Sequence, residues 1–288
     1  MTAVRHLVRA ARPKQWVKNG FVAAPLLFSG RFTDGADVLM VVAAIACFCA
    51  LSSAVYLVND VLDAREDQFH PEKRHRPIAA GLLSPRVAVG TAVVLGVAAL
   101  AAALMMEPWF AAGLGAYCAN AILYTTAIKH EPILDVFSIA LGFVIRVVAG
   151  ALVIMVRPSA WILICSGLLA LMMALGKRRA EILELDEDAT RHRVVLEEYS
   201  VPFLDALIYI CAGCAISAYA AYSAVGQPES RNFVATLPFV IYGVARYLWL
   251  TFQAGEAGNP TAILWKDRPL QLALLGWVVT AGALLTLA

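Results

Sequence analysis

The sequence predicts an all-α, polytopic membrane protein of nine transmembrane helices whose polar chemistry gathers at the cytoplasmic face. Three observations predict it. The chain is 61% hydrophobic and only 15% charged over 288 residues, with a mean hydropathy of +0.73, so lipid rather than a folded interior must solvate most of its surface. Its apolar residues fall in runs of about 20, the length a helix needs to cross the hydrocarbon core. Its basic residues fall almost wholly in alternate connections between those runs.

Taken in order, the first span covers about 15–30; it starts amphipathic and holds Pro25. Uninterrupted uncharged runs follow at 38–58, 87–106, 108–128, 206–228 and 269–288. The runs at 136–156 and 233–253 are equally long but contain Arg146 and Arg246, and 158–176 is slightly short. Together these make nine spans in a single transmembrane domain, 1–288. The basic stretch Arg5, Arg9, Arg12, Lys14, Lys18 shows no small-residue cleavage site and is read as retained.

An odd number of spans puts the termini on opposite sides, and Lys/Arg in the connections chooses the side. The N-terminus and the connections at 59–86, 129–132, 177–205 and 254–268 hold eighteen of the 23 Lys and Arg residues; the opposite connections hold Arg31, Arg157 and Arg231. The N-terminus and the long connections are therefore expected in the cytoplasm, at a cell membrane crossed several times. Chemistry on charged substrates belongs there, because the outer connections are too short to build a site. Cys47, Cys49, Cys118, Cys165, Cys211 and Cys214 all sit in apolar runs and read as small core residues, which excludes a disulfide framework.

The second span closes on Asn59-Asp60-Val61-Leu62-Asp63-Ala64-Arg65-Glu66-Asp67. On a continuing helix Asp60, Asp63 and Asp67, spaced i, i+3, i+7, share one face, with Asn59 one turn from Asp63. Three like charges at a membrane boundary repel one another unless a cation lies between them, and hard oxygen ligands suit a Mg²⁺ ion that substrate phosphates also hold. The spacing alone also fits a solvated acidic helix end paired with Arg65, Lys73, Arg74 and Arg76. Directly after it comes His70-Pro71-Glu72-Lys73-Arg74-His75-Arg76-Pro77-Ile78-Ala79-Ala80-Gly81. Acids that hold a metal and bases that hold phosphate oxygens are the two halves of a diphosphate site; the bland account of the bases is a positive-inside anchor.

The Asn-Asp-x-x-Asp-x-x-x-Asp run at 59–67, the following Arg76-Pro77-Ile78 and Gly81, and the nine-span pattern resemble the UbiA superfamily of intramembrane prenyltransferases over nearly the whole chain. More narrowly, Arg12-Pro13-Lys14-Gln15-Trp16-Val17-Lys18-Asn19, Leu123-Tyr124 with Lys129-His130 and Asp135, and Gly176-Lys177-Arg178-Arg179-Ala180-Glu181 resemble the decaprenyl-phosphate phosphoribosyltransferase branch of actinobacterial arabinan synthesis. That resemblance implies a UbiA-like bundle with a cytoplasm-facing active site. It implies a Mg²⁺-dependent enzyme that moves 5-phosphoribose from phosphoribosyl diphosphate (PRPP) to a polyprenyl phosphate, a cell-wall precursor, and releases diphosphate.

Under it, Asp60, Asp63 and Asp67 are the metal ligands and catalytic residues. Asn59, Lys14, Lys18, Lys73, Arg74, Arg76, Tyr124, Lys129, Lys177 and Arg178 are the substrate-binding candidates. The wider superfamily carries a second Asp-x-x-x-Asp after the sixth span; here Lys177, Arg178, Arg179 and Glu181 stand instead, and Asp186-x-Asp188 lies about two turns further on. The basic cluster is then a candidate for the 5-phosphate, or simply a basic stop to the span. Arg146, too deep to reach water, is expected to pair with interior carbonyls, with an acid such as Asp135, or with the acceptor's head group; Arg246 is expected to snorkel.

The acceptor phosphate is already anionic and needs no strong base, and no Ser-His-Asp or Cys-His set is evident. An aromatic or quinone-precursor prenyltransferase is the alternative within the superfamily. A transporter is the alternative outside it, disfavoured because the polar residues lie at one face and no strong repeat occurs. The bilayer is a partner, nucleic acid is not, and self-association is left open.

Overall fold

The computed structural model describes residues 3–69, 73–184, 198–226, 232–253 and 260–287. Among them the regular structure is entirely helical. In chain order the α-helices are α1 (Ala3–Ala10), α2 (Ala24–Phe28), α3 (Gly35–Leu62), α4 (Ala64–Asp67), α5 (Pro85–Met106), α6 (Pro108–Thr126), α7 (Leu134–Val153), α8 (Ala160–Glu184), α9 (Val201–Val225), α10 (Leu237–Phe252), α11 (Pro260–Lys266) and α12 (Arg268–Leu287). Their starts follow local chemistry. The Asp34 carboxylate accepts from the amides of Ala36 (2.8 Å) and Asp37 (3.4 Å) to open α3, and Ser200 accepts from Phe203 to open α9. Proline occupies the first turn of α5, α6, α9 and α10, where its missing N–H costs nothing.

Among the described residues seven helices are long and apolar enough to cross a membrane: Gly35–Leu62, Pro85–Met106, Leu134–Val153, Ala160–Leu183, Val201–Val225, Phe233–Phe252 and Arg268–Thr286. The two remaining runs of the expected nine take other forms. Residues 15–30 are not one helix: Pro13–Ala23 is a 3₁₀ segment leading into the five-residue α2, and the chain then turns at Gly30, φ 72°. Lys14, Gln15, Lys18 and Asn19 dilute the apolar character of this run, and Pro25 lacks the amide a continuous ladder needs. The run at 108–128 does form a helix, α6, of 19 residues, but Gly113, Gly115, Asn120 and two threonines keep it outside the seven.

The chain divides into two compact units, the first Met1–Leu26, Asp34–Ile128 and Ile145–Arg157, the second Leu27–Thr33, Lys129–Val144 and Pro158–Ala288. In the first, α3 buries Val41, Ala44, Phe48, Leu51, Ala54 and Leu57, a stripe at helical spacing. It packs on α5, whose buried positions Ala88, Ala92, Ala99 and Ala103 are all small and let the two backbones approach. Val87, Val93, Val94 and Val97 of α5 are exposed, as lipid-facing side chains are. The 3₁₀ segment lies against α7 so closely that a Cβ on Gly150 would fall 2.0 Å from the Val22 carbonyl oxygen.

In the second unit, α8 packs on α9, and α9 and α12 pack on α10. Leu175, Leu204, Ile208, Cys211, Tyr247 and Leu250 belong to one core cluster. A second cluster, around Tyr219, Tyr222 and Phe233, is tied by hydrogen bonds of Tyr219 to Thr236 (2.6 Å) and from Trp277 (2.7 Å). All six cysteines are free.

Candidate active site

The buried stripe of α3 does not stop where the apolar residues stop. One turn beyond Leu57 it presents Asp60, a carboxylate only 2% exposed. Periodicity alone puts it there, because residues 54, 57 and 60 fall on one face. The helix then breaks at Asp63, whose φ and ψ are −87° and 2°, before α4 begins. The three carboxylates are therefore not aligned on one continuous helix, as their spacing predicted. Asp60 and Asp67 turn inward and are buried, while Asp63 at the break is half-exposed.

Two guanidinium groups meet these acids. Arg12 Nη2 donates to Asp60 Oδ1. Arg76 Nη1 lies 3.2 Å from that same oxygen and 2.6 Å from Asp67 Oδ2, so it bridges the pair. Both arginines are held from outside the cluster. The segment carrying Arg12 is pinned to α3 by Trp16 Nε1 donating to Ser53 Oγ (3.0 Å) and Ser53 Oγ donating to the Ala11 carbonyl (3.0 Å); Arg12 itself takes a left-handed backbone, φ 55°, and stacks over Tyr56 at 5.1 Å. Arg76 precedes a tight turn in which the amides of Leu82 and Leu83 donate to the Pro77 carbonyl. Ile78 and Leu83 anchor that turn in the core beside Leu57.

Among the described residues no three His, Cys, Asp or Glu side chains converge closely enough to hold a metal ion. Asp60 and Asp67 nonetheless meet the chemistry of a hard-cation site. They are two buried carboxylates that share one cation, Arg76, and Asp60 Oδ2 is buried with no hydrogen-bond partner among the described residues. A buried carboxylate oxygen without a donor is costly, and a cation is what relieves it.

Among the other expected residues, Asn59 accepts from Thr125 Oγ1 at 3.0 Å. Lys14 is exposed and Lys18 half-buried on the 3₁₀ segment, Lys73 and Arg74 lie in the turn Lys73–His75, and Tyr124 is half-buried on α6. Lys129 is half-buried in the connection before α7. His70, Pro71, Glu72, Asp186, Asp188 and Arg231 lie outside the described residues.

Arg146 is buried, as its depth demanded, and its partners include Asn19 Oδ1 (2.9 Å) and Tyr117 Oη (3.1 Å), with the Tyr117 ring 4.5 Å from its Cζ. Arg246 does not simply snorkel; it pairs with Asp267 at 2.8 Å. That bond holds the Asp267 carboxyl below its ordinary range.

The second unit holds a separate polar cluster. Arg178 is 0% exposed, and its Nε lies 2.5 Å from Asp135 Oδ2, itself 0% exposed. Its Nη1 bonds Glu181. Tyr199 Oη donates to Asp135 Oδ1 at 2.7 Å and accepts from the Ile133 amide. Burial first, and then the bond to the Asp135 carboxylate, push the Tyr199 phenol above its ordinary pKa. Ile133 has a positive φ, 67°, rare for a β-branched residue. Lys177, one residue before Arg178, is by contrast nearly half exposed and lies 3.7 Å from Glu181. Lys177 is thus open to the surface, whereas the Arg178 guanidinium is enclosed by two carboxylates.

A model of the UbiA prenyltransferase family matches residues 21–265. The chain belongs to that family. It is 37% identical over 286 residues to the decaprenyl-phosphate phosphoribosyltransferase of Mycobacterium tuberculosis, covering 97% of this chain and 94% of the relative. It is 33% identical to the protein of the same name in Corynebacterium glutamicum, over 94% of this chain and 84% of that one. A solved structure of a UbiA homolog from Archaeoglobus fulgidus, bound to GPP and Mg²⁺, superposes with a TM-score of 0.73 at 17% identity, covering 98% of this chain and 99% of that one.

The UbiA fold accounts for the all-helical architecture, and with seven membrane-length helices it makes this a multi-pass membrane protein. The family match spans both compact units. Sequence reasoning did not name Arg12, Thr125, Glu181 or Tyr199 among the candidate site residues; the structure ties Arg12 to Asp60 and Thr125 to Asn59 in the first unit, and Glu181 to Arg178 and Tyr199 to Asp135 in the second. Arg12 opened the Arg12–Asn19 segment that carries the resemblance but was given no role in the site, and nothing in spacing joins Tyr199 to Asp135, 64 residues away.

Proposed function

We propose that this chain transfers 5-phosphoribose from PRPP to a polyprenyl phosphate, decaprenyl phosphate in its named relatives, with release of diphosphate. The observation that carries the reading is the near full-length likeness to proteins named for that reaction. In the transfer the bond between ribose C1 and the diphosphate oxygen breaks, its electron pair leaving with diphosphate, and an oxygen of the lipid phosphate bonds to C1. Positive charge builds on the sugar and negative charge on the leaving group, as in glycosyl transfer generally.

The cluster in the first unit suits the leaving group. Arg12 and Arg76 are two cations at carboxylates that a divalent ion would occupy, and guanidinium groups bind diphosphate oxygens in pairs. Asp60 and Asp67, with Asp63 beside them, would hold Mg²⁺, which supplies charge neutralisation on the departing diphosphate. Lys14, Lys18, Lys73 and Arg74 are the nearby cations for phosphate oxygens; Asn59 orients the shell through Thr125, and Tyr124 offers a hydroxyl. In the second unit, taken by itself, Lys177 and Lys129 are candidate phosphate-binding cations, and Arg178, bonded to Asp135 and Glu181, supports Lys177. The site is assigned to the cytoplasmic side of the cell membrane on the eighteen-to-three distribution of Lys and Arg.

The test is to supply purified protein with labelled PRPP and polyprenyl phosphate, and separately with a prenyl diphosphate and an aromatic acid. The expected result is a phosphoribosylated lipid in the first tube and nothing in the second. Prenylated aromatic product would replace this reading with that of an ordinary prenyltransferase.

A further inference from the structure

The helix before the site, α1 with sequence AVRHLVRA, has no acidic residue in its first turn and carries Arg5, His6 and Arg9. Its side chains divide into three strips. Leu7 and Ala10 pack into the core beside Ala54, Leu57, Leu83 and Ala88, and His6 Nδ1 lies 3.2 Å from the Leu82 carbonyl oxygen. Val4 and Val8, one turn apart and about 60° and 100° round from Leu7 by helical geometry, are 66% and 52% exposed. About 100° beyond Val4 come Arg5 and Arg9, also exposed.

The level of this helix is fixed by what it touches. Leu57 lies near the last apolar turn of the span Gly35–Leu62 and Ala88 in the first turn of the span Pro85–Met106. An exposed valine pair at that level meets the boundary between acyl chains and head groups. An arginine pair beside it meets the phosphates. Exposed Leu82, Val87 and Arg86 at the start of α5 repeat the combination next to it.

We infer that α1 is an interfacial helix that docks on anionic phospholipid: Val4 and Val8 enter the acyl boundary while Arg5 and Arg9 bind the lipid phosphates. Charge complementarity selects the occupant. A zwitterionic surface offers the valines the same apolar boundary but gives the arginines no net attraction, whereas an anionic one rewards each of them. Two residues past the helix, Arg12 bonds Asp60, so the lipid surface and the acidic cluster are joined through one short stretch of chain. The inference does not depend on which transfer reaction the site performs.

The full chain is reconstituted in vesicles of phosphatidylcholine alone or with 30% phosphatidylglycerol, a composition chosen at roughly the anionic content that gives a strong surface potential, and amide exchange of residues 3–10 is followed by mass spectrometry. Exchange should be about tenfold slower with phosphatidylglycerol. That difference should vanish in high salt and in the double variant Arg5→Gln/Arg9→Gln. Val4→Ser/Val8→Ser should speed exchange on both vesicles. Because Leu7 and Ala10 are untouched, both variants keep their core contacts, and protection elsewhere should be unchanged. Equal exchange in the two lipids, or a lipid effect that survives Arg5→Gln/Arg9→Gln, would overturn the inference.

Discussion

Lys177 and Arg178 are neighbours of the same charge, yet their substitution should have opposite consequences. Arg178 is fully buried between Asp135 and Glu181. Removing one partner of a buried pair costs about 3–5 kcal/mol, because the other charge is left buried and unanswered. That is a large share of the stability of an ordinary domain, so Arg178→Ala should scarcely accumulate folded. Arg178→Lys keeps the charge but gives up the fork that reaches both carboxylates, and the loss of one charged hydrogen bond is about 1.5–3 kcal/mol. It should fold with a clearly lowered Tm and a KM for PRPP close to wild type. Lys177 sits in a half-exposed pair at 3.7 Å, worth about 0–1 kcal/mol. Lys177→Ala should therefore melt like wild type and show a KM for PRPP raised about tenfold or more, from one lost charge-assisted contact to phosphate. Thermal unfolding in detergent and initial rates at varied PRPP separate the two. The reasoning fails if Arg178→Ala is as stable as wild type, or if Lys177→Ala leaves PRPP kinetics unchanged.

Asp60→Asn and Asp67→Asn should each lower turnover by orders of magnitude with helix content unchanged in circular dichroism, and near-normal rates in both would remove them from the site. Gly150→Ala places a methyl 2.0 Å from the Val22 carbonyl oxygen, an overlap no rotamer relieves, so its Tm should fall well below that of Gly113→Ala, whose new methyl meets the Ala149 side chain at 3.0 Å. Tyr199 predicts an alkaline limb of stability. Its phenol is raised in the folded state, so its contribution is whole below about pH 10 and declines as pH rises through the folded value. Tyr199→Phe should start less stable and lose that limb; an unchanged limb in pH-dependent melts would assign it elsewhere.

The architecture was largely legible in the sequence, because a membrane-length helix announces itself by run length alone: 38–58 became Gly35–Leu62, and the inward placement of Asp60 follows from the period of Leu51, Ala54 and Leu57. The break at Asp63 was not legible, since Asp63 and Ala64 fit a continuing helix as well as an interrupted one. Nor could composition distinguish Lys177 from Arg178. One residue turns a helix by about 100°, which carries the second side chain from the surface to the interior, and only the packing of α8 says which is which. The depth of Arg146 suggested interior carbonyls, Asp135 or the acceptor's head group as partners but not Asn19, which lies 127 residues earlier in a run that looked like an ordinary span.

That last separation bears on how the first unit is made. The 3₁₀ segment is translated early, but part of the surface that receives it, Gly150 with the donor Arg146, belongs to α7. At about 5–20 residues per second, the 127 residues between Asn19 and Arg146 take roughly 6 to 25 s to synthesise. Throughout that interval the segment has only its α3 contacts, Asn19 donating to Cys49 and Ser52 and Trp16 to Ser53, while the contacts of Asn19 with Arg146 and of Val22 with Gly150 are still to come. The unit closes only from its far end, so the last stretch of chain to join it, Ile145–Arg157, sets the moment at which the first can settle.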